Sequence, residues 1–320
     1  MPLHIERAQL NKLPATIQID LDSLEAIQEC YGWDDFPENE RNSFFEEGTK
    51  NFLDLLEQYK IQATFFVTGK DALDSSKKII ITEIFKKGYE IANHSFSHTI
   101  GLSRLNDIEL LNEIKSSEDA ITNITGIKPK GFRSPGYDVT SRILKILEDS
   151  GYEYDSSLLP SFYGILFRLA DRFMAGRRLK DKKQFGRFRD GLSPLRPFRP
   201  DKEKYWCSGN KSKIIEVPIT TFPIIRFPFH STIIFKFGTS FFDTGYNLLK
   251  TYKIPINYVF HIIDLVDIRK IKGLEKLFFL KIPFETRKKI VQYIIEKIKK
   301  DYDILKTIDH IKIIPPQNLL

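Results

Sequence analysis

Apolar positions in the first half of the chain follow two alternating patterns. Short runs rich in β-branched and aromatic residues are typical of buried strands, and they lie at Ala15–Leu21, Ala63–Thr68, Tyr89–Ala92 and Lys130–Arg133. Longer stretches carry apolar residues at helical spacing, and they lie at Ser43–Tyr59, Lys77–Lys87, Leu105–Thr125 and Thr140–Ser150. Asn106 and Gly126 are of the residue types expected at the N-cap and C-cap of the third helix. This alternation predicts an α/β fold in which helices cover a parallel sheet.

A different pattern begins after Pro160. Residues 162–213 are basic and aromatic with many Gly and Pro residues, and strand-like runs return at Ile214–Thr220 and Ile256–Ile263. An amphipathic helix is predicted at Phe284–Lys300. The 320 residues are therefore expected to form a single domain, 1–320, with a basic aromatic insertion at 162–213.

The net charge of +7 is unevenly distributed. Residues 162–213 hold fifteen Lys or Arg and five Asp or Glu, a local charge of +10, which leaves −3 for the rest of the chain. Such a segment indicates either an anionic partner or a solvated loop. Phe162–Arg178 also has apolar residues at helical spacing together with several arginines. This pattern indicates either an amphipathic helix at a membrane interface or an amphipathic helix packed on its own domain. Because no nucleic-acid-binding motif is present, nucleic acid is not an expected partner.

The sequence predicts a cytoplasmic protein, with the inner face of the cytoplasmic membrane as a candidate peripheral contact. The first fifteen residues lack the apolar core of a secretory signal. The apolar stretch Val217–Phe242 is interrupted by prolines and charged residues, so it is not expected to span a bilayer. Cys30 and Cys207 follow no disulfide or metal-binding pattern, which favours a reducing compartment.

Two aspartates end the first predicted strand. Alternate residues of a strand project to the same side, so Asp20 and Asp22 are expected to lie together. Two adjacent carboxylates repel each other unless a cation lies between them or one of them is protonated. The pair predicts a metal site with one ligand and one free base, and the alternative is a pair of surface or capping acids.

His94 and His98 follow the third predicted strand. Histidines four residues apart lie on one face of a helical turn and can bind one transition metal ion. Ligands of parallel α/β sheets gather at the carboxyl ends of the strands. The pair is therefore a candidate for the same metal site, and the alternative is two polar loop residues.

Two further signals end later strands. Arg133 precedes a Ser-Pro-Gly-Tyr turn, and an arginine can hold a carboxylate by two hydrogen bonds. The N–H groups around Gly136 and Tyr137 can stabilise an oxyanion, although a plain β-turn beside a surface arginine has the same sequence. His261 lies in an apolar run, where a histidine is either a core residue or, with Asp264 to orient it, a catalyst.

The order of these four signals resembles that of the polysaccharide deacetylase family, also called the NodB-homology domain or carbohydrate esterase family 4. The resemblance covers residues 15–160 well and 214–310 weakly, and it does not include 162–213. The segments that support it are ATFFVTG at 63–69, GYEIANHSFSH at 88–98, GFRSPGY at 131–137 and GYEYDSS at 151–157. The resemblance implies the family fold, a distorted (β/α) barrel that often has seven strands.

The resemblance also implies catalytic, metal-binding and substrate-binding roles. The catalytic residues would be Asp20 as the base, Arg133 as the residue that fixes it, and His261 as the general acid. The ligands of a divalent metal ion would be Asp22, His94 and His98. The oxyanion- and substrate-binding turn would be Gly136 and Tyr137. Imidazole ligands favour zinc, while carboxylate–imidazole sites also accept cobalt, nickel or iron.

Two features separate the chain from the common family pattern. The first motif usually has adjacent aspartates, whereas Leu21 lies between Asp20 and Asp22. This D-x-D form is similar to that of a subgroup that includes peptidoglycan deacetylase-like enzymes and deformylases of lipid-linked aminoarabinose. The aromatic-containing fourth motif is not visible, because Asp155 has no tryptophan beside it.

The resemblance predicts a metal-dependent hydrolase acting on carbon–nitrogen bonds other than peptide bonds. Its substrate would be an N-acyl, foremost N-acetyl, amino sugar of a cell-envelope polysaccharide or of a lipid-linked glycan precursor. The alternatives within the enzyme class are a deformylase and a hydrolase of a ring amide, as in allantoinase-like relatives. A non-catalytic carbohydrate- or lipid-binding relative would carry no stoichiometric metal ion.

Overall fold

The computed structural model describes residues 12–31, 35–164, 186–267 and 277–315, together with the single positions 269, 271, 274 and 319. The strands formed by these residues are β1 (Leu13–Asp20), β2 (Thr64–Val67), β3 (Glu90–Asn93), β4 (Gly131–Phe132), β5 (Tyr154–Asp155), β6 (Ile215–Glu216), β7 (Ile256–His261) and β8 (Tyr302–Leu305). The strand order is β6-β5-β4-β3-β2-β1-β7, and β8 pairs with the first half of β1. Each of these pairings is parallel. The seven parallel strands from β6 to β7 in this order form a curled half-barrel, and β8 is an eighth strand beside β1, which confirms the predicted α/β fold.

Helices surround this sheet. The α-helices in the described part of the chain are α1 (Leu24–Tyr31), α2 (Glu38–Tyr59), α3 (Gly69–Leu73), α4 (Ser75–Lys86), α5 (Asp107–Thr125), α6 (Ser141–Asp149), α7 (Ser231–Phe237), α8 (Thr239–Thr251), α9 (Phe284–Asp301) and α10 (Thr307–Ile313). Short 3-10 helices lie at Leu102–Arg104, Pro135–Tyr137, Phe188–Leu192, Ile262–Leu265 and Phe278–Lys281. The strand–helix alternation predicted for the first half is confirmed, with small shifts at the ends of the elements.

Helix α5 is capped by the predicted residues, Asn106 and Gly126, and begins two residues after the predicted start. The Asn106 side chain accepts a hydrogen bond from the N–H of Glu109 at 2.9 Å, and the Glu109 carboxylate accepts one from the N–H of Asn106 at 3.0 Å. This reciprocal capping box satisfies two N–H groups at the start of the helix. Gly126 adopts a left-handed φ of 69° and ends the helix. Since α5 packs against β3, these local signals position its middle next to the loop that follows β3.

Strand β1 is buried on both faces, as expected for a central strand of a covered parallel sheet. The side chains that face the main apolar core are Ala15, Ile17 and Ile19. The opposite face is polar but equally buried, and its side chains are hydrogen-bonded. Thr16 donates to Asn257 at 2.7 Å, and Gln18 donates to Thr307 at 3.0 Å. This polar face of the strand ends at Asp20, so it leads from the interior of the half-barrel to the edge of the sheet.

Some elements of the second half were not predicted. Helix α7 lies in a stretch where aromatic and aliphatic residues follow one another closely, so no helical period is visible there. In α8, by contrast, Phe242, Tyr246 and Leu249 do have helical spacing, although this helix was not predicted. Strand β6 is shorter than the predicted run Ile214–Thr220. In contrast, β7 and α9 lie where the apolar spacing placed them.

Part of the predicted insertion at 162–213 lies outside the described residues. The predicted amphipathic helix Phe162–Arg178 falls mostly within 165–185, which are not described. The described part, 186–213, packs on the domain: Phe198 and Tyr205 belong to the buried cluster around Phe132, and the Tyr205 hydroxyl donates to Asp190 at 2.7 Å. Among the helices that the structure describes, each is too short or too polar to cross a membrane. The boundaries of the insertion remain a prediction.

Candidate active site

The predicted site residues lie at the carboxyl ends of four strands. Asp20 ends β1 and His261 ends β7, while His94 follows β3 and Arg133 follows β4. Because the strands are parallel, their carboxyl ends meet at one edge of the sheet. Asp20 lies directly opposite His261 in the pairing of β1 with β7. The structure therefore brings together residues that are far apart in the sequence.

Asp22, His94 and His98 form a group of three potential metal ligands. One ligand atom of each residue lies within 4.8 Å of the others. Nε2 of His94 is 3.3 Å and Nε2 of His98 is 3.1 Å from Oδ1 of Asp22. Both histidines are buried and Asp22 is half-buried. The three side chains thus converge on one partly enclosed point.

The proton on His94 is positioned as a metal ligand requires. Nδ1 of His94 lies 2.8 Å from the carbonyl oxygen of Arg133, which can only accept a hydrogen bond. Nδ1 therefore carries a proton, and Nε2, the nitrogen that faces Asp22, is the one available to bind a metal ion. The buried Oδ1 of Asp22 accepts no hydrogen bond from the residues that the structure describes. Two imidazole nitrogens and a carboxylate oxygen that converge on one point are a typical ligand set for a divalent transition-metal ion, so these residues fit such an ion.

The charge state of Asp22 is also that of a ligand. Burial acts to raise the pKa of this carboxyl group, but the charges that His98 and His94 carry when protonated outweigh burial and hold the pKa well below its ordinary value. Asp22 therefore remains ionised. One carboxylate with two imidazoles suits zinc and also accepts cobalt, nickel or iron. The identity of the ion remains a prediction.

The loop that carries the two histidines is not helical, so the expected helical turn is wrong. Ser95 and His98 have φ angles of 64° and 57°, in the left-handed region. Such a conformation costs a non-glycine residue about 1–3 kcal/mol. The two rings nevertheless meet, with their centroids 5.0 Å apart. The close approach of the histidines therefore depends on a strained loop rather than on regular helical spacing.

Glu113 of α5 holds this loop in place. Its Oε2 accepts hydrogen bonds from the N–H groups of Phe96 and Ser97 at 3.1 and 3.0 Å. Its Oε1 accepts the hydroxyl of Ser97 at 2.7 Å. These charge-assisted bonds offset part of the backbone strain. Nothing in the sequence distinguishes Glu113 from the other acids of α5, so sequence patterns could not have identified it.

We expect Glu113→Ala to weaken metal binding by about 10–100-fold, because residues that orient metal ligands typically contribute that much. Chelator competition measures the change. The matched control is Asp119→Ala, which removes an exposed acid from the same helix and should leave the affinity unchanged. Equal metal affinity in the two variants would show that the loop keeps its shape without Glu113.

Asp20 and Arg133 form a buried ion pair. Nη1 of Arg133 donates to Oδ1 of Asp20 at 2.5 Å, and both side chains are almost completely buried. The other nitrogens of the guanidinium group are also bonded: Nε donates to the carbonyl of Ser156 at 2.9 Å, and Nη2 donates to Gln18. The group lies 4.1 Å from the centre of the Phe66 ring. These contacts fix the arginine, which in turn fixes one oxygen of Asp20.

His261 faces the second oxygen of both aspartates. Its Nε2 is 3.6 Å from Oδ2 of Asp20 and 3.9 Å from Oδ2 of Asp22, and its side chain is 20% exposed. Asp264 accepts the backbone N–H of His261 at 3.0 Å, so it fixes the end of β7. Burial raises the pKa of the Asp264 carboxyl group. This placement is compatible with a general acid that reaches the substrate from the solvent side.

The predicted substrate-binding turn borders the same carboxylates. Gly136 and Tyr137 have consecutive left-handed φ angles of 68° and 60°. The N–H of Tyr137 donates to the carbonyl of Ser134 at 3.2 Å and so closes the turn. Burial and the negative charges of Asp20 and Asp22 raise the pKa of the Tyr137 phenol, which therefore remains a protonated donor. The oxyanion-binding role of the turn remains a prediction.

His230 is a residue near the site that the sequence patterns missed. It precedes α7, and its buried Nδ1 has no hydrogen-bond partner among the described residues. Burial and the charge of nearby His261 lower the pKa of His230 to about 3, so its ring is neutral at physiological pH. A neutral ring with an unused nitrogen beside the general-acid candidate is a candidate substrate contact. Its apolar neighbours in the sequence offered no indication of this position.

The fold and the site together define a class of protein. A parallel half-barrel that gathers carboxylates, histidines and an arginine at the carboxyl edge of its strands is suited to metal-assisted hydrolysis. Residues 31–154 match the family model described as polysaccharide deacetylase. This match confirms, for this part of the chain, the resemblance to the family. The matched region includes His94, His98 and Arg133, whereas Asp20 and Asp22 precede it.

Several curated relatives of the chain are peptidoglycan deacetylases. A peptidoglycan-N-acetylglucosamine deacetylase of Bacillus cereus is 33% identical over 99 residues, which are 31% of this chain and 35% of that protein. The peptidoglycan-N-acetylmuramic acid deacetylase PdaC of Bacillus subtilis is 39% identical over 87 residues, 27% of this chain and 18% of that protein. A peptidoglycan deacetylase of Helicobacter pylori is 28% identical over 145 residues, 44% and 48% of the two chains. The chain thus matches less than half the length of each of these relatives.

Solved structures show the same fold over most of the chain. A putative polysaccharide deacetylase from Mycobacterium smegmatis is 14% identical with a TM-score of 0.58, and the match covers 94% of this chain and 89% of that one. The PuuE allantoinase is also 14% identical, with a TM-score of 0.56 and the same coverage. At this level of identity the two structures establish the architecture and leave the substrate open.

Proposed function

We propose that the chain is a metal-dependent hydrolase that removes an N-acyl group, foremost an N-acetyl group, from an amino sugar. The observation that carries this proposal is the convergence of three potential ligand atoms beside the buried pair of Asp20 and Arg133. Amide hydrolysis needs an activated water, a base to accept its proton and an acid to protonate the leaving nitrogen. The site offers one group for each task, and the peptidoglycan deacetylases among the relatives support an acylated amino sugar as the substrate.

Each residue of the site has a separate role in the proposed reaction. The ligands of the ion would be Asp22, His94 and His98. The bound ion would supply Lewis-acid activation of the water and of the amide carbonyl. Oδ2 of Asp20 accepts the proton of the attacking water, because Arg133 already occupies Oδ1. Nε2 of His261 delivers a proton to the nitrogen as the carbon–oxygen bond forms and the carbon–nitrogen bond breaks. The acyl group then leaves as a carboxylate and the sugar as an amine.

We expect Asp22→Asn to weaken metal binding at least about tenfold, because an amide oxygen lacks the charge that attracts a divalent ion. The metal content of the protein after gel filtration measures the loss. Asp54→Asn removes an exposed carboxylate of α2 and serves as the matched control. Normal metal content in Asp22→Asn would remove Asp22 from the ligand set.

The substrate is tested by measuring acyl release with metal-free protein and with metal restored. The substrates are N-acetyl and N-formyl amino sugars, each free, polymeric and lipid-linked, together with a cyclic amide. Metal-dependent release of acetate would support the proposal. Release of formate alone would indicate a deformylase, and opening of the cyclic amide would indicate an allantoinase-like reaction. A protein that carries no stoichiometric metal and releases nothing would be a binding relative, which contradicts the proposal.

We also propose that the reaction takes place in the cytoplasm, on an amino sugar of a cell-envelope polysaccharide or of a lipid-linked precursor. The charge of +10 in residues 162–213 supports an anionic partner such as a phosphorylated lipid carrier. Fractionation of cells that express the tagged chain tests the location. Recovery of the chain from the outer side of the cytoplasmic membrane would contradict the proposed location.

A further inference from the structure

Five large apolar side chains near the site are exposed to solvent. All five lie on turns or at helix ends, and their side chains are 49–65% exposed. They are Phe188, Leu192, Ile224, Ile225 and Phe237. We name this set the apolar rim. Single exposed apolar residues are common, but a contiguous group marks an interaction surface.

The segments that carry the apolar rim contact one another. Arg226 adopts a left-handed φ of 54° at the turn that exposes Ile224 and Ile225. Its Nη1 donates to the carbonyl of Ser193 at 2.8 Å, which joins this turn to the end of the 3-10 helix at 188–192. Phe227 packs against Phe237, with their ring centroids 6.2 Å apart. The three segments that carry the apolar rim therefore lie next to one another.

The same segments border the active site. Arg187, which precedes Phe188, donates through Nη1 to the carbonyl of Val139 at 2.7 Å. Val139 follows the predicted substrate-binding turn by two residues. On the other side, the chain runs from the exposed turn into His230, beside His261. The apolar rim is thus attached to the site at two points.

Positive charge surrounds the apolar rim. Residues 186–200 and 217–242 contain one acid, the buried Asp190, and six basic residues, which are Arg187, Arg189, Arg196, Arg199, Arg226 and Lys236. Arg189, Arg196 and Lys236 are exposed. The guanidinium group of Arg189 lies 4.2 Å from the ring centre of Trp206, and Nζ of Lys236 lies 5.5 Å from that of Phe237. Cations that lie against apolar side chains are typical of interfacial anchors.

We propose that the apolar rim docks the protein on an anionic lipid bilayer. A bilayer accepts apolar turn tips in its acyl boundary and basic side chains at its headgroups, and it requires no matching shape. The lack of exposed acids in the two segments fits a uniformly anionic surface better than a protein partner, whose surface would carry both signs of charge. Docking in this way presents the adjoining site to molecules held at the membrane. The proposal does not depend on the reaction at the site.

The test is co-sedimentation of the full chain with vesicles of phosphatidylcholine alone or mixed with phosphatidylglycerol, at low and high salt. We expect binding to the anionic vesicles that decreases at high salt. The double variant Ile224→Ser, Ile225→Ser should lower the partition coefficient at least about tenfold, because two aliphatic side chains no longer enter the acyl boundary. The double variant Arg196→Glu, Lys236→Glu should lower anionic binding and reduce its dependence on salt.

The matched control is Ile79→Ser with Ile108→Ser, which alters two isoleucines of α4 and α5 that are 71% and 74% exposed and lie outside the apolar rim. This variant should bind vesicles as the unmodified chain does. Thermal unfolding of each variant shows whether it is folded. If the Ile224→Ser, Ile225→Ser variant bound anionic vesicles as strongly as the unmodified chain, the assignment of the membrane-binding surface to the apolar rim would be wrong. Failure of the unmodified chain to bind anionic vesicles would overturn the proposal. Self-association of the chain that requires Ile224 and Ile225 would also overturn the proposal, because the apolar rim would then be an interface with a second copy of the chain.

Discussion

Replacement of His94 by alanine is expected to abolish both metal binding and amide hydrolysis. Nε2 of His94 lies 3.3 Å from Oδ1 of Asp22, and the bond from Nδ1 to the carbonyl of Arg133 directs its lone pair to that point. Without this ring, one carboxylate and one imidazole remain, which leaves a weak site. Residues that merely orient ligands contribute about 10–100-fold to metal affinity, so loss of a ligand should exceed about two orders of magnitude. Elemental analysis of the gel-filtered protein, together with acyl release, measures both effects.

His310, another buried histidine, is the control for the effect of removing a packed imidazole ring from the interior. His310 and His94 are both 2% exposed, but His310 lies in α10, away from the ligand set. We expect His310→Ala to lower the melting temperature and to retain the metal. His98→Ala should behave as His94→Ala does. Full metal occupancy in either ligand variant would show that the site has been assigned to the wrong residues.

Asp20→Asn is expected to retain the metal and to lose most of the turnover. The amide oxygen can still accept a hydrogen bond from Arg133, but an amide cannot take the proton of the attacking water. General-base catalysis contributes about 10²–10⁴-fold, so kcat should fall by that factor while KM changes little. Steady-state kinetics with metal-saturated protein separate the two parameters. A turnover close to that of the unmodified chain would place the base elsewhere.

The buried ion pair adds a second readout for this variant. Removing the charge of Asp20 leaves the fully buried guanidinium of Arg133 without its counter-ion, which typically costs about 3–5 kcal/mol of stability. Asp20→Asn should therefore melt at a lower temperature even though its metal content is normal. Comparison with Asp22→Asn distinguishes the two aspartates, since we expect that variant to lose the metal. If both variants lost metal to the same extent, the division of roles between Asp20 and Asp22 would be wrong.

The sequence by itself determined the order of the elements and which residues lie at the ends of the strands. Apolar runs identified β1, β2, β3 and β7, and local capping signals at Asn106 and Gly126 located α5 to within two residues. Parallel pairing then places the carboxyl ends of these strands at one edge. For this reason the sequence alone is sufficient to group Asp20, Arg133 and His261. Elements with strong periodic or capping signals are encoded by neighbouring residues, which a sequence displays directly.

Only the tertiary structure decided how the site is held together. The left-handed backbone at Ser95 and His98 is stabilised by Glu113, a residue of another element that no local pattern distinguishes. The tautomer of His94 depends on a carbonyl that β4 brings to it. His230 and the rim residues Ile224, Ile225 and Phe237 lie in predominantly apolar stretches, where burial and exposure look alike. These features arise from contacts between distant parts of the chain, so they depend on the packing of the whole domain rather than on the pattern of any one segment.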